Sequence, residues 1–312
     1  MSLSRRSFLT ASAAAAAGAG VRARAAKASG FEAPPPAGYE PWVEVDAAAL
    51  AHNAASLSRL CGGRPILGVV KNGAYGLGLA TAGPILDRLT EVAGLAVVKP
   101  GEALELRDAG VRKPILLMGR ADEETAIELL RHDVRLAPFG SDAPERLARL
   151  SRRLGRPVPV HLYLDTGMSR LGVPFREALP WMERIASEGN ARIEGAFTTL
   201  TEEDEFDPVQ LGRFREIAGR ARARGIELGT LHAASSHSLF FRPAALFDMV
   251  RPGLALYGAY PAGARELATA NLRPAFRLRA RVVRMARLEP GDGVSYGREY
   301  IAERPVWIAT LP

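Results

Sequence analysis

Val69-Val70-Lys71-Asn72-Gly73-Ala74-Tyr75-Gly76-Leu77-Gly78 is the stretch that decides how the rest of the chain reads. Residues 66–70 form an unbroken apolar run, which predicts a strand buried on both faces. The run ends abruptly in Lys71 and a turn crowded with glycine. A lysine at the mouth of a buried strand loses hydration, which lowers its pKa and frees the amine to attack a carbonyl. The competing reading is a lysine whose stem lies along the strand end while its ammonium stays in water.

Runs of the same kind recur at 95–98, 115–118, 134–137, 158–164, 194–197, 230–233 and 248–250. Most are separated by helical periodicity, as at 102–106 and 143–154. Eight runs with intervening helices predict an α/β fold, a (β/α)8 TIM-like barrel over residues 42–273. Lys71, Arg170, Thr199, Ser236 and Arg251 fall at or just beyond the C-terminal ends of these runs, the face on which barrels carry their chemistry. Ahead of them, 42–45 alternates as a short strand and Asp46 caps a helix to about Leu60. His52 and Asn53 on that helix read as surface or locally bonded residues rather than metal ligands. After Pro274 the pattern changes: 277–282 has period two, Pro290-Gly291-Asp292-Gly293 is a turn, and 306–311 is another strand. This predicts the start of a mostly β C-terminal domain, 274–312, which stops at Leu311-Pro312 in mid-strand with an uncovered edge.

The 312 residues suffice for a full core, and 47% hydrophobic with 24% charged residues is ordinary globular composition. The net charge of +7 is concentrated in residues 1–25, a segment with the features of a twin-arginine signal peptide. Ser4-Arg5-Arg6-Ser7-Phe8-Leu9-Thr10 is followed by an alanine-rich stretch and the small-x-small site Ala23-Arg24-Ala25. Losing its four arginines takes +7 to +3, too weak a surplus for a nucleic-acid footprint. The leader is too short and alanine-rich for a strong membrane span, so no stable insertion is expected after cleavage. A periplasmic or secreted location is expected, and the twin-arginine route suits a protein that folds around a cofactor before export. Residues 26–41, with Pro34-Pro35-Pro36, read as a linker. Cys61 is the single cysteine, so no intrachain disulfide forms, and it reads as a small buried hydrophobe. The arginine-rich stretches 146–153 and 213–224 alternate with apolar residues at helical spacing, as on a solvated face.

Val69-Val70-Lys71-x-x-Ala74-Tyr75-Gly76-x-Gly78 resembles the cofactor-lysine motif of the alanine racemase family, and Asp165-Thr166-Gly167-Met168-Ser169-Arg170-Leu171-Gly172 resembles its most recognisable internal block. The resemblance extends from Trp42 to Pro312. It implies pyridoxal 5'-phosphate held as a Schiff base by Lys71, with Tyr75 helping to hold the phosphate. Leu231-His232-Ala233-Ala234-Ser235-Ser236 resembles a family segment in which Ser236, with amides near Gly253 and Leu254, binds the phosphate; helix capping is the bland alternative for the two serines. Arg170 is implied to reach the cofactor's phenolic oxygen and the substrate. Met249-Val250-Arg251-Pro252-Gly253 matches the block whose arginine faces the pyridine nitrogen. Arginine stays protonated, so that nitrogen does not, and the weaker electron sink favours proton exchange at Cα over transamination.

Val294-Ser295-Tyr296-Gly297 resembles the segment that supplies the second catalytic base opposite Lys71. In the family this tyrosine comes from a partner subunit, which implies a homodimer; the alternative for Tyr296 is an aromatic packed on its sheet. Leu77 stands where the family usually has histidine, and Gly73 where it has a non-glycine residue. Tyr163 stands where a carbamylated lysine is frequent, and Thr199 where a histidine is usual. The Tyr163 and Thr199 departures point to an altered substrate range or reduced activity. The family's β domain continues past the position of Pro312, so a C-terminally truncated chain is expected. The resulting expectation is a racemase interconverting L- and D-alanine, or a broader set of amino acids, through Lys71 and Tyr296. The alternative is a degenerate pyridoxal-phosphate-binding homologue. Arg251 and the Tyr296 segment argue against a decarboxylase or aldolase on the same barrel.

Overall fold

Seven of the eight apolar runs form parallel strands of one sheet in the computed structural model, which describes residues 24–25, 37–267 and 269–312. They are β2 (Ile66–Val69), β3 (Val92–Val97), β4 (Ile115–Leu117), β5 (Val134–Leu136), β6 (Val158–Asp165), β7 (Ala191–Phe197) and β8 (Thr230–His232). Neighbours in the sheet are neighbours in sequence, the signature of repeated strand–helix units. The helices α2 (Leu79–Asp87), α3 (Pro100–Asp108), α4 (Glu123–Arg131), α5 (Ala143–Leu154), α6 (Ala178–Ser187) and α7 (Asp207–Arg222) alternate with them. Helix α5 shows why such sequences fold this way: Ala143, Leu147 and Leu150 are buried, whereas Arg149 and Arg153 face water and pair with Glu123 and Glu124. Inside the strands, Leu67, Val69, Ala96, Leu116, Tyr163 and Phe197 belong to a separate apolar cluster beneath the barrel mouth.

The eighth run, 248–250, does not become a strand. It forms isolated bridges, Met249 to His232 on one side and Val250 to Ile66 on the other. The Asp248 carboxylate takes the Leu231 N–H (2.8 Å), and Pro252 has no N–H to offer, so regular pairing cannot extend. Leu67 N–H still donates to Val250 O (2.8 Å) and Val69 N–H to Pro252 O (2.9 Å). The barrel therefore closes through an irregular seam.

Before the barrel, β1 (Trp42–Val45) leads into α1 (Ala47–Leu60), whose Asp46 cap accepts from Ala49 N–H (2.9 Å). Asn53 is neither exposed nor locally bonded. It is fully buried; its amide donates to Leu256 O (2.9 Å) and Arg273 O (2.8 Å), and its oxygen accepts from Arg273 N–H (2.8 Å). His52 likewise reaches a distant backbone oxygen, that of Asn271 (2.7 Å). Beyond the barrel, β9 (Phe276–Arg279) runs antiparallel to β1, so the sequence before the barrel and the sequence after it share a sheet. The antiparallel pairs β10 (Arg284–Leu288) with β13 (Val306–Thr310), and β11 (Gly293–Val294) with β12 (Tyr300–Ile301), follow. Leu278, Met285 and Trp307 on these strands are exposed.

The twin-arginine motif and most of the linker lie outside the described residues; the backbone of Arg24–Ala25 pairs parallel with Glu44–Val45. No described helix is long and apolar enough to cross a membrane.

Candidate active site

The turn after β2 uses backbone geometry that ordinary residues avoid. Asn72, Gly73, Ala74 and Tyr75 all have positive φ, from 55° to 62°. Left-handed backbone costs an L-residue about 1–2 kcal/mol, so the turn must be held from elsewhere. Ala74 N–H donates to Val70 O (2.8 Å) and Gly78 N–H to Gly73 O (2.8 Å). Glu102, buried at the start of α3, accepts Asn72 N–H (2.5 Å) and Gly73 N–H (3.4 Å) on Oε1. Its Oε2 accepts Val98 N–H (3.2 Å) and Lys99 N–H (3.1 Å). Lys71, the first residue of the turn, is half-buried at the strand end.

Tyr75, at the other end of the turn, meets the loop after the seam. A Cβ on Gly253 would lie 2.1 Å from the Tyr75 hydroxyl, so only glycine fits there. Ser235 caps α8 (Ser236–Phe241) through Ser238 N–H, which releases Ser236 from that duty. The Ser236 hydroxyl instead accepts from Gly253 N–H (3.0 Å) and Ala255 N–H (3.1 Å). The amide between them, that of Leu254, opens the 3-10 turn Leu254–Tyr257 and does not bond to Ser236. Beside this cup the Tyr257 hydroxyl is buried without a hydrogen-bond partner among the described residues, its ring 5.3 Å from that of Tyr75, and burial pushes its pKa well above the usual phenol value. Hydroxyls and backbone amides gathered at one loop fit the acceptor-rich phosphate of pyridoxal phosphate.

Arg251 follows the seam directly. Its guanidinium is buried; Nη1 donates to His232 O (2.8 Å) and His232 Nδ1 (2.9 Å), and Nη2 to Thr198 O (2.6 Å). A guanidinium only donates, so His232 Nδ1 accepts and the neutral ring carries its proton on Nε2. That Nε2–H donates to His161 Nδ1 (2.8 Å), which leaves the His161 proton on its own Nε2. Burial is the main force keeping both rings neutral: His161 falls to about 4, and His232, also beside the Arg251 charge, lies well below the usual imidazole range. Burial lowers Arg251 as well, to about 10, which leaves it charged at neutral pH. Its Nε–H takes part in none of these bonds, and among the described residues no carboxylate partners it. That donor suits an unprotonated pyridine nitrogen.

The residues at two of the unusual positions satisfy each other. Tyr163 OH and Thr199 Oγ1 are 3.0 Å apart, and the Tyr163 ring stacks on Phe197 (4.2 Å), which stacks in turn on His232 (5.0 Å). Arg170 is exposed and, among the described residues, makes no hydrogen bond or ion pair, with Tyr163 or any other. The loop before it is shaped by Asp165, which accepts from Gly167 N–H (2.9 Å) and Ser169 N–H (3.1 Å). Tyr296 is 98% exposed on the short turn Tyr296–Arg298, not packed on a sheet.

Residues 45–261 match the alanine racemase N-terminal domain and residues 275–312 match the alanine racemase C-terminal domain. The chain belongs to the alanine racemase family. The alanine racemase of Syntrophobacter fumaroxidans is 37% identical over 280 residues, covering 87% of this chain and 73% of that protein. Alanine racemase 1 of Clostridium acetobutylicum is 33% identical over 277 residues, 87% of this chain and 71% of the other. Among solved structures, alanine racemase of Clostridium difficile 630 has a TM-score of 0.80 at 27% identity, covering 87% of this chain and 72% of that one. As a member of the alanine racemase family, the chain is a pyridoxal-phosphate-dependent racemase, an isomerase, on a TIM-like barrel followed by a mostly β domain. Of the groups that shape this racemase's mouth, Glu102, Ala255 and the His161–His232 pair escaped the sequence reading. Glu102 looks like any capping glutamate, and two histidines 71 positions apart carry no local signal.

Proposed function

We propose that this racemase interconverts L- and D-alanine, or a wider set of amino acids, by passing the Cα proton between Lys71 on one face and Tyr296 on the other. The reading rests on one observation: Lys71, the Ser236–Gly253–Ala255 cup and the Arg251 guanidinium all lie at the C-terminal mouth of the barrel. Bound there, pyridoxal phosphate supplies the electron sink that makes a Cα proton acidic. Ser236, Tyr75 and the backbone of residues 253–255, Leu254 included, hold the phosphate end. Arg251 stays charged and leaves no proton on the ring nitrogen it faces, which favours return of the proton to Cα over transamination. Lys71 Nζ takes or returns the proton on its face. Tyr296 does so on the opposite face from a second copy of the chain, since in its own chain the ring stands in solvent. Arg170, exposed and without a partner among the described residues, offers its charge to the substrate and to the cofactor's phenolic oxygen.

The neutral Tyr163–Thr199 pair supports a substrate range wider than alanine. Export by the twin-arginine route is supported by Ser4–Thr10 and would place the activity in the periplasm or outside the cell; cell fractionation tests it. The first experiment is an absorbance spectrum of the loaded protein, repeated with Lys71→Ala, followed by deuterium uptake from solvent at Cα of L-alanine, L-lysine and L-arginine. A lysine-dependent band near ~420 nm is expected, with deuterium in at least one substrate. A band without exchange leaves a cofactor-binding homologue that does not turn over. Absence of any Lys71-dependent band sinks the site assignment.

A further inference from the structure

We propose that Glu102 is the positioning residue for Lys71: its buried carboxylate fastens the lysine turn to the loop of the neighbouring strand and so sets where the amine stands. The inference rests on the assignment of Lys71 above. Capping α3 needs one carboxylate oxygen, and Oε2 does that work through Val98 and Lys99 N–H. Oε1 is surplus to the cap. It reaches back 30 residues to Asn72 N–H and 29 to Gly73 N–H, the two amides directly after Lys71. Glu102 is 7% exposed and accepts from backbone N–H groups of two loops, both at the barrel mouth. A carboxylate serves such a set because it only accepts. The turn it holds is left-handed over Asn72–Tyr75, a shape that three of its four residues disfavour, and it carries Lys71 at one end and Tyr75 at the other. One clip therefore places both the amine and the phenol that borders the phosphate cup.

Glu102→Gln separates the clip from the cap. An amide puts NH2 where one oxygen stood, so one pair of N–H groups faces a donor, and the cap, being local, keeps the remaining oxygen. Glu102→Asp keeps two acceptors on a shorter stem. Asp46→Ala, which uncaps α1 without touching Glu102 or the lysine turn, serves as a stability control. The measurements are titration with pyridoxal phosphate, followed by the rate and amplitude of the lysine-dependent band, and amide hydrogen exchange at Asn72 and Gly73 in the cofactor-free protein. In Glu102→Gln we expect cofactor affinity to fall about tenfold or more, the band to form more slowly, and exchange at the two amides to accelerate. Glu102→Asp should lie between it and the unaltered protein, and Asp46→Ala should bind the cofactor normally despite a lower Tm. Unchanged affinity, rate and exchange in Glu102→Gln would overturn the proposal, as would an equal affinity loss in Asp46→Ala. If the unaltered protein shows no Lys71-dependent band, the site assignment fails instead, and the exchange data alone then judge the clip.

Discussion

The barrel mouth and the strands after residue 275 solve their burial problems in opposite ways. At the mouth several polar groups pair inside the chain: Glu102 with four N–H groups, Arg251 with carbonyls and an imidazole, Tyr163 with Thr199. On the later strands Leu278, Met285 and Trp307 face water, and so does Tyr296, the proposed second base. The first region is complete in one chain; the second presents apolar surface of the kind that another surface covers. The proposed chemistry spans both, so substitutions should separate them cleanly.

The largest expected effect falls on activity across that divide. Lys71→Ala and Tyr296→Phe should each lose more than about 10³-fold of Cα exchange. If the two bases come from different copies, mixing the inactive variants should restore about a quarter of the activity through mixed dimers. No recovery on mixing would break the comparison. Next comes acid sensitivity, which belongs to the barrel alone. His161 and His232 are neutral when folded, so below about pH 6.5 the unfolded chain takes up protons first. Stability is therefore intact above that pH and falls as pH drops toward 4, where His161 itself protonates; its share is on the order of 3 kcal/mol, read from denaturant melts across pH. Asn53→Ala should cost about 2 kcal/mol, since it strands buried backbone groups of Leu256 and Arg273. Trp307→Lys on the other side should change the midpoint by less than about 0.5 kcal/mol while improving solubility. A large loss there would mean that these strands are already packed against something.

The same division explains what could be read in advance. Barrel strands are continuous apolar runs and their helices are striped, so periodicity located seven strands to within a few residues. The eighth failed because its apolar residues are genuine, but Asp248 and Pro252 spoil the ladder, an effect visible only once the neighbours are known. Lys71, Ser236 and Arg251 were read from motif and position together, and all three lie at the C-terminal end of the sheet. Asn53 and Glu102 were not, because a polar side chain bonded to backbone 30 or 220 residues away leaves no trace in local pattern. The Ala255 bond to Ser236 is of the same sort: a 3-10 turn decides which amides reach that hydroxyl.

The irregular seam has a consequence for assembly. Val250 meets Ile66 across nearly the whole barrel sequence, a contact of high order whose loop-closure entropy must be overcome before the pairing contributes. Arg251 and Gly253 lie immediately beyond it, so the proposed ring-facing cation and phosphate amides take their places only as the cylinder shuts. A ligand that bridges them binds the closed form alone and by mass action draws the chain toward it. With the cofactor bound at the proposed site, it would also be the last fastening of the barrel.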